Sequence, residues 1–378
     1  MAPIEIEEVE ETAQPQSEFR VLHQEVELNV DFSTASLSGR TEITIEPLTK
    51  ELKAIRLNCR QISLKSITVD GVVASSVEYH DPYDDLIIGR SYSVHQHHLI
   101  HGKLQNNLLS PPKGELVIPL PKKVKITELS VPDPKGGDDG DVTYNTITVM
   151  IYYSVKQSRD AIHWVGLSED DARYPHVYTR NQPLPGETAN FVFPCVDSLS
   201  SRSTWKVLIR CPRTLGDIIK KSRQYSGGQT TNGNDTLMNG YHANGNASGR
   251  DSNHLMDSHV FERSLTEEDQ ALELSVVCSG YMEDNDAPGD HDPTDRKWIF
   301  TCSSPVAPQH VGFAIAPFEV VDLSDFRESD QDEKLGQNAV RVHGFCLPGR
   351  AEEVRYTCMP VAMVCSFTFS QDFLSIMD

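Results

Sequence analysis

Four histidines crowd one short stretch, His95, His97, His98 and His101. Imidazole is the commonest protein ligand for zinc and a good one for copper. A working site also needs a carboxylate to orient each ring, and this stretch supplies none, so it reads as polar surface. A second group, Glu283-Asp-Asn-Asp286 with Gly289-Asp-His-Asp292, offers the many oxygens that calcium takes, and Gly136 to Asp141 does so more weakly. Neither has the twelve-residue spacing with a closing glutamate, and both read as solvated acidic loops. Lys113, Lys122, Lys123 and Lys125 form a local basic group without the interleaved aromatics that stack nucleobases. Charged residues that discourage strand pairing account for them equally well. Arg213, Lys220, Lys221 and Arg223 are read with the same caution.

Catalytic signatures are missing. Zinc-dependent peptide hydrolysis of the His-Glu-x-x-His kind needs two histidines one helical turn apart and a glutamate to activate water, and the sequence contains no such run. It also lacks a Gly-x-Ser-x-Gly elbow and a Gly-x-x-x-x-Gly-Lys phosphate loop. The expectation is a protein that is not an enzyme, with no catalytic, cofactor-binding or metal residues, no cofactor and no small-molecule substrate.

Composition narrows the class further. With 34 basic and 55 acidic residues among 378, the net charge of −21 repels phosphate backbones and anionic lipid surfaces. The eight cysteines include no Cys-x-x-Cys pair. Cys59, Cys195, Cys211, Cys278 and Cys302 sit in or beside apolar β-like runs, where a reduced cysteine serves as a small core residue. No stretch approaches the roughly 20 apolar residues needed to span a bilayer. The acidic start, residues 1–17, reads as a disordered tail.

The elements that would position any site are strands. Leu22, Val26, Leu28, Val30 and Phe32 alternate with polar residues, the period of a half-buried strand. The alternation returns in Leu37 to Ile45, Ile55 to Cys59, Ile147 to Tyr153, Trp205 to Cys211, Leu272 to Cys278, Trp298 to Cys302 and Val311 to Ile315. Asp70-Gly71, Asp81-Pro82, the Pro132 to Gly140 stretch and Pro183 to Gly186 supply turns. Many short strands with turns between them predict an all-β, antiparallel sandwich over residues 18–345. Ser222 to His254, rich in Asn, Gly, Ser and Thr, reads as a disordered insertion.

Several runs carry a family resemblance: Phe19 to Leu28, Leu37-Ser-Gly-Arg-Thr-Glu-Ile-Thr-Ile-Glu-Pro47, Ile55-Arg-Leu-Asn-Cys-Arg-Gln61, Phe193-Pro-Cys-Val-Asp197 with Thr204-Trp-Lys206, and Val311 to Glu319. In this order, over about residues 18 to 363, they resemble the second-subunit family of the general transcription factor TFIID, which is related to the gluzincin zinc aminopeptidases. Where the peptidases carry Asp-Ala-Arg before Phe-Pro-Cys this chain has Ala189-Asn-Phe191, and Ser198-Leu199 replaces Glu-Pro. The peptidase motif Gly-x-Met-Glu-Asn is missing too.

The resemblance implies the N-terminal β-sandwich of that family and a nuclear, non-catalytic scaffold that helps assemble the RNA polymerase II preinitiation complex. It also implies partners: other TFIID subunits, subunits 1 and 8 among them, and TATA-binding protein, with promoter DNA only in the assembled complex. The alternative is an N-terminal fragment of a zinc aminopeptidase without its catalytic domain. Residues 346–378 read as the start of a second, helical domain. The likeness stops after Met363, and Val364-Cys365 is what the intron-opening bases GTATGT would encode, so residues 364–378 are expected to derive from a read-through intron.

Overall fold

The computed structural model describes residues 18–83, 97–109, 115–129, 143–156, 161–168, 170–180, 189–227, 265–283, 294–323 and 342–358. The first strands are β1 (Phe19–Asp31), β2 (Ser36–Pro47), β3 (Ala54–Leu57), β4 (Ile62–Val69), β5 (Val72–Val73) and β6 (Glu78–Tyr79), followed by helix α1 (His97–Leu109). Next come β7 (Leu116–Pro119), β8 (Glu128–Leu129), β9 (Thr143–Tyr144), β10 (Ile147–Lys156), β11 (Ile162–Val165), β12 (His176–Thr179) and β13 (Ser203–Pro212). Helices α2 (Leu215–Gly227) and α3 (Glu267–Gln270) precede β14 (Ser275–Cys278), β15 (Tyr281–Glu283), β16 (Asp295–Val306), β17 (Phe313–Ala316), β18 (Glu319–Asp322) and β19 (His343–Cys346). A last helix, α4, covers 351–358.

The all-β expectation holds. An eight-stranded sheet runs β15-β16-β13-β1-β2-β10-β4-β5, and smaller sheets run β11-β12-β17-β14 and β3-β7-β6. Alternation decides which face is buried: Leu37, Thr41, Ile43 and Ile45 of β2 and Val149, Ile151 and Tyr153 of β10 are at most 1% exposed. All of these except Thr41 share one hydrophobic cluster with Ile55, Leu116, Ile162, Val177, Val276 and Ile315 from the smaller sheets. Two layers thus bury one core, and each fully buried large aliphatic or aromatic side chain contributes about 1.5–3 kcal/mol.

Three local details depart from the sequence pattern. A register shift between Val21 and His23 puts an extra residue into β1, so Phe19 and Val21 are buried before it and Gln24, Val26, Leu28 and Val30 after it. Leu22 therefore does not share the face of Val26, because an inserted residue reverses the alternation. The β1·β13 ladder is parallel, pairing His23 with Thr204 and Asn29 with Arg210. Alternation looks the same in parallel and antiparallel ladders, so pattern alone does not separate them.

The third departure is helix α2. Thr214 accepts from Asp217 N at 3.2 Å, while Asp217 Oδ2 accepts from Thr214 N at 3.2 Å, forming a reciprocal cap. Leu215, Ile218 and Ile219 form its apolar stripe, and Ser222 is 4% exposed. The helix runs into the segment that the composition assigned to an insertion; residues 228–254 of that segment lie outside the described residues. Deleting 222–254 should therefore lower the melting temperature by a few degrees more than deleting 228–254, since the longer cut removes the last turns of α2 and buried Ser222. Differential scanning calorimetry of the two deletions checks this; equal melting temperatures would show that the end of α2 contributes nothing.

The Asp70-Gly71 turn is a two-residue hairpin with φ of +47° and +75°, joining β4 to β5, the left-handed pair that Asp-Gly favours. Glu319 to Asp322 and His343 to Cys346 form a separate two-stranded sheet, β18-β19. Val321, Leu323 and Cys346 give it a small core of its own, against which Val354 and Cys358 of α4 pack.

Candidate functional site

Two of the runs that carry the resemblance, Arg56 to Gln61 and Phe193 to Asp197, lie some 135 residues apart in the chain and meet in the fold. At the end of β3, Asn58 and Cys195 form an antiparallel bridge, with Asn58 N donating to Cys195 O at 2.7 Å and Cys195 N to Asn58 O at 3.1 Å. Asn58 also spends its side chain here: Nδ2 donates to Glu115 Oε2 at 3.0 Å and Oδ1 accepts from Asp197 N at 3.0 Å.

Around that bridge the polar groups are nearly all enclosed. Asn190 and Asp197 are 0% exposed, Asp81 4%, Glu115 7% and Arg60 8%. Arg60 Nε donates to Glu115 Oε1 at 2.6 Å, and Nη2 lies 2.6 Å from the same oxygen. Cys59 N donates to Glu115 Oε2 at 3.3 Å. Arg60 N donates to Asn190 O at 3.0 Å, and the guanidinium lies 6.0 Å from the centre of the Phe191 ring. Asp197 Oδ2 accepts from Asn190 N at 3.0 Å and Oδ1 from Gln309 Nε2 at 2.8 Å. Asp81 secures the far side, accepting from Gln61 N at 2.5 Å, Tyr83 N at 2.9 Å and Tyr79 hydroxyl at 3.3 Å.

The electrostatics follow from burial. Loss of hydration pushes the Asp197 carboxyl up to about 6, opposed by its hydrogen bond from Asn190 N, by the Arg60 charge and by Gln309. Burial likewise raises the Cys59 and Tyr153 groups well above their ordinary values, so the thiol is neutral and inert. A carboxylate enclosed and bonded in this way cannot meet a substrate. The arrangement clamps segments from five places in the chain: 58–61, 79–83, 115, 189–197 and 309.

Ala189-Asn-Phe191, noted in the sequence as a departure from the peptidase pattern, is a buried 3-10 turn that supplies this clamp with its Asn190 N–H and carbonyl. Leu199, in the Ser198-Leu199 pair, is 65% exposed. Gln309 was invisible in the sequence, since nothing near Pro308–His310 marks it out. Asp81 was legible only as a turn former, and its role as a buried acceptor appears once the fold brings Gln61 to it.

The other sequence candidates scatter. His98 and His101 are exposed on α1, His97 begins that helix, and His95 lies outside the described residues. Glu283 ends β15, whereas Asp284 to Asp292 and Gly136 to Asp141 also fall outside them. Among the described residues no group of three or more His, Cys, Asp or Glu could hold a metal ion. Lys122, Lys123 and Lys125 are exposed after β7, and Lys113 is not among the described residues. Lys220 pairs with Asp217 at 2.9 Å, Lys221 with Asp295, and Arg213 lies 3.7 Å from Glu273. Cys59, Cys195 and Cys211 are buried, while Cys278 and Cys302 are half-buried. Among the described residues no helix is long and apolar enough to cross a membrane.

Fold and site together define a multi-sheet β protein in which the most distinctive residues build architecture. Comparison with known proteins adds a resemblance. The sequence is 33% identical over 341 residues to transcription initiation factor TFIID subunit 2 of Schizosaccharomyces pombe, covering 89% of this chain and 26% of that protein. To the Saccharomyces cerevisiae protein of the same name it is 23% identical over 85% of this chain and 28% of the relative, and to the Drosophila melanogaster one 24% identical over 51% of this chain and 15% of the relative. The resemblance to TFIID subunit 2 thus runs through most of the chain, which spans about a quarter of the length of its first two relatives. No family model matches. Among solved structures, yeast LTA4 hydrolase in complex with bestatin has a TM-score of 0.49 at 14% identity, covering 95% of this chain and 37% of that one. Native leukotriene A4 hydrolase from Saccharomyces cerevisiae has a TM-score of 0.47 at 13% identity, covering 90% and 33%.

Proposed function

We propose that this chain is a non-catalytic scaffold part of TFIID, acting in the nucleus in core-promoter recognition and assembly of the RNA polymerase II preinitiation complex. The observation that carries the reading is the 33% identity to the S. pombe subunit along 89% of the chain. The clamp supports it: two of the runs that carry the resemblance are spent on holding the domain together, and neither presents an open reactive group. The partners this reading assigns are the other TFIID subunits, 1 and 8 among them, and TATA-binding protein. Promoter DNA is met only in the assembled complex, because a net charge of −21 opposes phosphate contact by the chain alone. Residues 18–345 act in it as one unit. The alternative, a fragment of a zinc aminopeptidase, is not favoured, since the relatives carry the transcription-factor name.

Reconstitution tests the proposal. The purified chain is mixed with recombinant S. pombe TFIID subunits, with the matching segment of the S. pombe subunit as positive control, and the mixtures are run on size exclusion. Co-elution with subunit 1 or 8 is expected. If the control co-elutes with them and this chain elutes alone, the scaffold reading is wrong.

A further inference from the structure

We propose that the clamp between residues 58–61 and 189–197 binds a proton at Asp197, so that the hold of these segments on one another is linked to pH. The case begins with charge and position. Asp197 is fully enclosed, and the bonds to its two oxygens come from neutral donors, the backbone N–H groups of Asn190 and Ala189 and the side-chain amide of Gln309. The cation that faces it, Arg60, is also bonded through Nε and Nη2 to Glu115, itself 7% exposed. Asp81 is a further enclosed carboxylate on the other side of Gln61.

Among the described residues the clamp therefore holds three buried carboxylates, Asp81, Glu115 and Asp197, against one guanidinium. An excess of buried negative charge is costly, and one proton relieves it. Burial pushes the Asp197 carboxyl up, to about 6. Among the described residues the other ionisable groups facing the cluster are Cys59 just after β3, Cys195 from the segment of Asp197 itself, Tyr79 from β6, Tyr83 beside Asp81 and Phe191, and Tyr153 from β10. Burial holds Cys59 and Tyr153 neutral, so neither adds to the negative charge.

The direction of the linkage is fixed. A carboxyl with a higher pKa in the folded than in the unfolded chain holds its proton in the fold at pH values where the unfolded chain has lost it. The stabilisation is complete below the ordinary carboxylate value of 3.8 and is lost as pH rises through about 6. Over that window the share of the unfolding constant owed to Asp197 rises roughly 100-fold.

Two measurements on the whole chain decide it, and neither depends on the transcription-factor reading. In the unaltered protein, carbon-13 NMR of labelled aspartate carboxyls should show one buried resonance with a midpoint near pH 6. In urea titrations from pH 4 to 7, Asp197→Asn should remove the roughly 100-fold component while leaving the rest of the pH dependence in place. An Asp197 resonance still ionised at pH 4 in the folded chain would overturn the proposal, as would parallel pH curves for the two proteins. Should Asp197→Asn fail to fold, the NMR midpoint alone decides.

Discussion

Replacing Arg60 by alanine is expected to cost the fold about 3–5 kcal/mol, the typical penalty when one partner of a buried ion pair is removed. The side chains of Arg60 and Glu115 are 9% and 6% exposed, so truncation leaves a carboxylate in a dry site with only the Asn58 amide and the Cys59 N–H to answer it. Glu115→Ala should be comparably severe, because it removes the acceptor shared by Arg60 Nε, the Asn58 amide and the Cys59 N–H. Arg60→Lys should recover only part of the loss, since an ammonium cannot reproduce the Nε and Nη2 contacts to Glu115. Urea unfolding of the three variants, combined with the double variant in a cycle, gives the coupling directly. A loss under about 1 kcal/mol for Arg60→Ala would mean that the pair behaves as a surface salt bridge and that the clamp is not what holds these segments.

Gly39→Ala is expected to destabilise by about 3 kcal/mol or more, for a different reason. Gly39 lies within β2 opposite Leu28 of β1 and Tyr153 of β10, in the middle of the large sheet. A Cβ built there falls 1.9 Å from the carbonyl oxygen of Glu27 and 3.2 Å from the Cα of Leu28. The obstacle is backbone on a paired strand, so relief requires β1 and β2 to part. Their separation would also loosen the 2.8 Å ion pair between Arg40 and Glu27 beside it. Gly102 in α1 is the control: its Cβ would meet nothing within 4 Å, and Gly102→Ala should stabilise the helix by about 0.5–1 kcal/mol. If both substitutions behave alike in thermal melts, close approach at Gly39 is not the constraint.

The sequence by itself determined the fold class and much of the core, because period-two alternation is a local property and survives without knowledge of partners. Leu37, Ile43 and Ile45 of β2, Val149 and Ile151 of β10, and Trp205, Val207 and Ile209 of β13 were legible from alternation alone and are at most 3% exposed. It missed the shift at Val21/His23, since an inserted residue is invisible until its partner strand is known. Helix α2 was within reach, through Thr214 and Asp217 at capping-box spacing before an apolar stripe, but the polar residues that follow masked it.

The family resemblance was legible too, and it rested on residue identity. Tertiary structure alone decided what those residues do. Asn58, Arg60, Asn190, Asp197 and Gln309 carry no local pattern in common, and their roles exist only when a bridge between Asn58 and Cys195 brings distant segments within hydrogen-bond reach. Burial and pairing depend on neighbours in space. A sequence read one window at a time contains the strand period but not the low-dielectric junction that those strands enclose.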